Sequence, residues 1–268
     1  MLNGVSFGQY LPLDSFLHKM DARFKLVLTF FLIIVAFVAG NYWSLGLVTL
    51  FTIMIAVLSK VPLKMYLKTL KPIWFFVVLT AVINVFYISG DVLLISFGVV
   101  NIYLEGVLKA LYVAIRIILL IIISGALTYT TTPTALTDAI EYLLSPLSKI
   151  GVDIHTFAMM MTIALRFIPT LIEETDKISS AQKARGSDMD SGNLIQKIKS
   201  VLPILIPLLA GSIRRATELA DAMECRCYHG GEGRTRLKVL KSSSRDWVAL
   251  ISSFALLGVV IVINIFLK

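Results

Sequence analysis

Charge is scarce in this chain: Asp, Glu, Lys and Arg make up 16% of its 268 residues, where a soluble domain of ordinary composition carries roughly a quarter. Hydrophobic residues take 57%, which points into a lipid bilayer rather than toward a solvated globule. Cysteine is nearly absent. Only Cys225 and Cys227 occur, too close together for a structural disulfide framework, and they suggest a reducing compartment. A zinc site needs a second ligand pair at suitable spacing. Cys225-Arg226-Cys227-Tyr228-His229 has none, and His18 and His155 lie far off, so no metal is expected. Soluble-enzyme signatures are missing too: there is no Gly-x-Ser-x-Gly elbow, no His-Glu-x-x-His and no clustered carboxylate pair in the apolar runs. The stretch "GGEGRTR", Gly230 to Arg236, lacks the Gly-Lys-Ser/Thr ending of a phosphate-binding loop and is expected to be a flexible turn. No cofactor is expected on this chain. Nor is there a secretory leader pattern, because Asp14, His18, Lys19, Asp21, Arg23 and Lys25 precede the first apolar run; that run is expected to stay in the mature protein.

What is present is a series of apolar runs separated by unevenly charged connections. Five qualify against the roughly 20-residue requirement for a span: about 26–40, 44–58, 72–89, 106–129 and 247–267. The net charge of +8 would suggest nucleic acid in a soluble protein; here its placement speaks instead for lipid, and no nucleic-acid partner is expected. Lys19, Arg23 and Lys25 precede the first run, and Lys60, Lys64, Lys68 and Lys71 follow the second. The connections at 41–43 and 90–105 contain no Lys or Arg, whereas Pro133 to Asp246 holds fifteen. Because Lys and Arg in short loops mark the cytoplasmic side, the N-terminus is expected in the cytoplasm and the C-terminus outside. β-Branched residues around Phe97-Gly98 suggest a small external hairpin.

The fold class expected is an all-α membrane protein with about five transmembrane helices plus long cytoplasmic or interfacial helices. Three segments follow: an N-terminal membrane domain over 1–132, a polar helical domain over 133–246 and a C-terminal transmembrane helix over 247–268. In the middle segment a short helix over Ala135 to Ile150 is interrupted near Pro146. Asp153 can cap a second helix to Ala184, followed by Gly186, and a third runs from about Leu194 to Tyr228, bent near Pro203 and Pro207. The long helices would each span roughly 45–50 Å, more than the ~30 Å hydrocarbon core. Each passes from an apolar half ("FAMMMTIAL", "VLPILIPLLAGSI") to a polar half. The apolar halves can lie at the membrane boundary or form a further transmembrane hairpin.

Both long helices end on the same pattern, Ala-x-x-x-Arg, at Ala181 to Arg185 and Ala222 to Arg226. For either arginine alone the plain reading is electrostatic, since a cation in the last turn favours the negative pole of the helix and Gly186 suits a stop. Taken as a pair they suggest more. An arginine at a helix tip can make bidentate, charge-assisted bonds in a groove on another protein, and two tips suggest two docking points. Arg116, inside the fourth run, costs roughly 2.5–3.5 kcal/mol on insertion scales. It can line a substrate path, snorkel or pair within a complex. Met159, Met160 and Met161 are adaptable packing surface.

With these residues in view, the chain resembles the transmembrane T component of energy-coupling factor vitamin transporters. The resemblance is carried by "GQYLPLDSFLHKMDARFKL", "EGVLKALYVAIRIILL", "TTTPTALTDAIEYLLSPL", "LRFIPTLIEETDKISSAQKARG" and "AMECRCYHGGEGRTR", nearly end to end. Arg166 and Pro169 sit in the Arg-Phe-Ile-Pro part of a coupling helix, and Ala22 stands where the family commonly has proline. The resemblance implies a non-catalytic scaffold in a prokaryotic cell membrane, joining two ABC-type ATPases, which carry ATP and Mg, to a small substrate-binding membrane subunit, the S component. It also implies docking motifs at Ala184, Arg185 and Gly186 and at Cys225, Arg226 and Cys227. The second departs from the family's Ala-Arg-Gly, and Cys227 in place of glycine puts that helix end in question. A conventional ABC permease with its own path and an intramembrane enzyme remain alternatives.

Overall fold

The computed structural model describes residues 10–90, 92–97, 100–186, 194–230 and 242–267. The tip of the expected hairpin at Gly98, the stretch after Gly186 up to residue 193, and Gly231 to Arg236 lie outside them. In chain order come α1 (Ala22–Val38), α2 (Tyr42–Ser59), α3 (Leu63–Leu70), α4 (Trp74–Tyr87), β1 (Leu93–Phe97), β2 (Val100–Tyr103), α5 (Leu104–Thr130) and α6 (Pro133–Leu144). A 3₁₀ turn over Ser145–Ile150, then α7 (Ile154–Ala184), α8 (Leu194–Glu224) and α9 (Ser244–Phe266) complete the chain. The protein is an all-α membrane protein, with one antiparallel β1–β2 hairpin among the described residues. Five described helices are long and apolar enough to cross a membrane, the number expected but not the same five. The set comprises α2, α5, α9, α7 and most of α8. α1 has 17 residues, and the expected third span corresponds to the 14-residue α4, which is long enough to cross only together with α3, set at 62° to it, as a sixth, broken span. A lysine-proline pair, Lys71-Pro72, falls at that break, where proline's fixed ring cannot continue a helix from upstream.

The described residues divide into two compact units: 10–139 with 242–267, and 140–230. In the first, α5 is the central post. Leu32, Val35 and Ala36 of α1 with its C-cap Ala39, Leu45 and Val48 of α2, Tyr112, Leu119 and Ile123 of α5, and Leu256 and Val260 of α9 form one core. Gly106 lets α5 approach α4, since a Cβ there would lie 3.1–3.3 Å from the carbonyl oxygens of Val85, Ile88 and Asn84.

Polar side chains close both ends of this bundle. At one end Arg116 donates to the carbonyl of Ala39 and to the Tyr112 hydroxyl, while Asn264 of α9 donates to Val38 O at 2.7 Å. Arg116 thus serves as a distant cap for α1, whose last carbonyls have no partner within their own helix. At the other end Asp246 is completely buried. Its carboxylate accepts from Ser243 N at 2.7 Å and from Asp21 N at 3.1 Å, tying the starts of α9 and α1 together. Lys25 Nζ donates to Thr130 O at 2.8 Å.

The segment ahead of α1 folds back on this end, with Leu11 N donating to Tyr129 O at 3.0 Å. His18 holds its shape. Leu11 O can only accept, so Nε2 carries the proton toward it at 2.9 Å, and Nδ1 accepts from the Ser15 hydroxyl at 2.6 Å. Burial pushes the imidazole below its ordinary value, the largest of several effects. The folded segment therefore prefers neutral His18. Its contribution is fully present above the unfolded value near 6.5 and is lost as pH falls through the lowered folded value. Hydrogen exchange of the Tyr10 to Met20 amides should accelerate between about pH 7.5 and about pH 5 beyond the intrinsic trend, and His18→Gln should remove the excess.

Candidate docking tips

The second unit is built on α7 and α8. Asp153 caps α7, its carboxylate accepting from Thr156 N at 3.0 Å, and these bonds from Thr156 hold the exposed carboxyl below the usual range. The helix then runs 31 residues, through Pro169, to Ala184. α8 also runs 31 residues and passes through both Pro203 and Pro207. The two helices are antiparallel. Gln182 Nε2 reaches Pro203 O at 3.5 Å, Arg215 forms an ion pair with Glu174, and Met159 shares a cleft with Met223 and Arg226. They approach closely at Gly211, where a Cβ would stand 3.1 Å from Glu174 Oε1. The Glu174–Arg215 pair and the Gly211 crossing were not singled out from sequence; an acid in one polar half and the Arg214-Arg215 pair in the other were the signal.

Antiparallel packing places the C-termini of α7 and α8 at opposite ends of the pair. From Met159, beside Arg226, to Arg185 the rise along α7 is roughly 40 Å. The structure therefore does not bring Arg185 and Arg226 together. It gives each its own tip, and Ala184, Arg185, Gly186, Cys225, Arg226 and Cys227 are all exposed. Arg166 and Pro169, also exposed, lie on the shaft of α7, remote from both tips.

The tips share one backbone design. Arg185 N donates to Ala181 O at 3.2 Å, and Gly186, at φ +87°, donates to Lys183 O at 3.0 Å. At the other tip Cys227 N donates to Glu224 O at 2.8 Å and Tyr228 N to Met223 O at 3.1 Å. These two bonds are the paired closure of a Schellman motif, whose key residue is left-handed. Cys227 occupies that position at φ +56°. The expectation that α8 reaches Tyr228 is thereby corrected: it ends at Glu224, because the closure reverses the chain over the next residues. The doubt over Cys227 is answered as well, since cysteine takes the glycine conformation. An L side chain there costs roughly 1–2 kcal/mol. Cys227→Gly should accordingly stabilise the α8 end by about 1 kcal/mol, read as slower exchange of the Cys227 and Tyr228 amides, and should keep whatever function the tip serves.

No group of three or more His, Cys, Asp or Glu able to hold a metal occurs among the described residues. Cys225 and Cys227 are both free thiols. The tips offer cationic, exposed helix ends, suited to binding rather than to bond-breaking chemistry.

The apolar helices and the bundle place the chain among multi-pass membrane proteins. More particularly, it belongs to the CbiQ family, described as cobalt transport protein, which matches residues 14–237, and with it to the T components of energy-coupling factor transporters. It is similar to an energy-coupling factor transporter transmembrane protein EcfT of Ruminiclostridium cellulolyticum, 54% identical over 92% of both chains. An EcfT of Clostridium kluyveri is 48% identical over 99% of this chain and 98% of its own. That of Bacillus subtilis is 40% identical over 96% and 97%. The chain is thus a non-catalytic membrane subunit of a transporter.

Proposed function

We propose that the chain is the scaffold and energy-coupling subunit of an ABC-type importer for a vitamin or other micronutrient. It joins two ATPase subunits, which carry ATP and Mg, to a small substrate-binding S component in a prokaryotic cell membrane. The observation that carries this reading is the pair of like-built arginine tips set at opposite ends of one antiparallel helix pair. Arg185 and Arg226 each enter a groove on a separate ATPase, and Gly186 and Cys227 turn the chain away so that the guanidinium leads. Two points roughly 40 Å apart suit two partners better than one. Closure of the ATPases on ATP moves the tips relative to one another, and α7 and α8, joined at Glu174–Arg215, carry that motion to the S component.

The same geometry bears on how the pair lies. An upright transmembrane hairpin would send the tips to opposite faces of the membrane. Two cytoplasmic ATPases can reach both tips only if α7 and α8 lie along the cytoplasmic face. Their composition agrees: even the most apolar stretches of α7 and α8 are clearly less apolar than those of α5 and α9. The lysine and arginine distribution supports a cytoplasmic N-terminus and an external C-terminus.

Co-purification with subunit identification tests the proposal. Two nucleotide-binding subunits and one small hydrophobic subunit are expected. Uptake by this chain with the ATPases alone, without a separate substrate-binding subunit, would replace the reading with that of a conventional permease.

A further inference from the structure

From Ala22 to Gly90 the chain contains no Asp or Glu, yet Lys60, Lys64, Lys68 and Lys71 fall within twelve residues. All four are exposed, and none pairs with a carboxylate among the described residues. The positive-inside tendency accounts for lysines between two spans. It does not account for how α3 arranges them.

One face of α3 is fixed to the bundle. Tyr66 is buried, its hydroxyl 3.1 Å from Ser59 Oγ, and its ring meets Tyr129 edge-on at 5.6 Å. Thr69, one turn on, bonds the Tyr129 hydroxyl. At 3.6 residues per turn, Lys64, Lys68 and Lys71 form a stripe on the side away from Tyr66. Leu63 and Leu67 occupy the flank between, 75% and 63% exposed. Past the 62° bend, Trp74 and Phe75 at the start of α4 are exposed as well. Cations beside bare leucines, with tryptophan at the entry to a span, are the features of a helix lying in the membrane interface.

We propose that α3 is a binding site for anionic phospholipid. The lipid phosphodiester is held by the ammonium groups of Lys64, Lys68 and Lys71, while Leu63 and Leu67 rest against the acyl chains. The chemistry favours a lipid over free phosphate, because the lysines alone are solvated point charges, and only a ligand with both head group and chain uses both stripes. A zwitterionic lipid offers the chains without net charge. This assignment rests on α2 and α4 lying in the membrane and is independent of the arginine tips.

The test is lipid titration of the full-length chain with its co-purified subunits, read by native mass spectrometry. Phosphatidylglycerol should bind at least about tenfold more tightly than phosphatidylcholine, at about 1 kcal/mol per lysine near a charged head group. Lys64→Gln with Lys68→Gln and Lys71→Gln should weaken phosphatidylglycerol about a hundredfold, and the matching Arg variant should retain it. Glycerol phosphate in excess should not displace the lipid. Equal binding of the two lipids, unchanged phosphatidylglycerol binding by the Gln variant, or displacement by glycerol phosphate would each overturn the proposal. Because the side chains are exposed, the Gln variant should unfold at the wild-type temperature in phosphatidylcholine. The Arg variant separates loss of charge from damage to the helix, and the subunits retained in the same spectra report separately on the tips.

Discussion

Reversing charge at both tips, Arg185→Glu with Arg226→Glu, should release the ATPases from the membrane subunit and abolish ATP-dependent uptake. Each guanidinium is exposed and ends a helix whose last turn is already closed by backbone bonds. Neither substitution removes a cap, so the fold should survive. The loss falls on the partner. Truncating one member of a buried, hydrogen-bonded charge pair at an interface costs about 2–5 kcal/mol, an attachment weaker by about thirtyfold to a few thousandfold per tip. Reversal adds repulsion. The single variants carry the more informative contrast. With tips on separate subunits, each single reversal should weaken one ATPase more than the other, and stoichiometry after purification should show it. ATP hydrolysis that persists without uptake would mean that a tip transmits motion rather than holding the complex. Normal assembly and normal uptake in the double variant would remove the docking role.

The largest effect on the fold itself is expected at Asp246. Its carboxylate is fully buried and serves two backbone N–H groups, Ser243 and Asp21, that start different helices. Asp246→Ala strands both donors, and an unsatisfied buried polar group costs about 1–3 kcal/mol. The buried Lys25 ammonium also loses a nearby opposite charge. A destabilisation of about 3 kcal/mol follows, with Asp246→Asn intermediate because one acceptor oxygen remains. Thermal unfolding in a mild detergent reads it. Equal stability of wild type and Asp246→Ala would show that water replaces the carboxylate at this end of the bundle.

Where the signals are local, the sequence carried the structure well. Asp153 and Gly186 bracket α7 because an N-cap carboxylate and a left-handed glycine act within one turn. β1 and β2 appear where β-branched residues cluster. The start of α1 was less legible: the apolar run begins near Leu26, yet the helix begins at Ala22, since Asp21 accepts from Arg23 N and draws two basic residues into the first turns. The end of α8 was hidden by the absence of glycine, because a cysteine at positive φ has no sequence signature. Long-range pairings were beyond reach. Arg116 has no acid near it in the sequence, and its partner is a carbonyl at Ala39 on another helix. The lysines between α2 and α4 were legible as a topology signal, but their stripe became visible only once Tyr66 fixed which way α3 faces.

The tips themselves were legible as a repeated pattern, Ala181 to Arg185 and Ala222 to Arg226. Their placement was not. A repeated motif gives no separation, and only the antiparallel contacts from Gln182–Pro203 to Met159–Met223 set the arginines at opposite ends.

The central claim is that each tip enters a different ATPase. A photo-crosslinking side chain placed at position 185, and in a second sample at position 226, followed by mass spectrometry of the adducts from the assembled transporter, tests it directly. One crosslink to each of two nucleotide-binding subunits is the result predicted. Adducts with lipid or with the small membrane subunit alone, or both positions reaching the same face of a single ATPase, would contradict it.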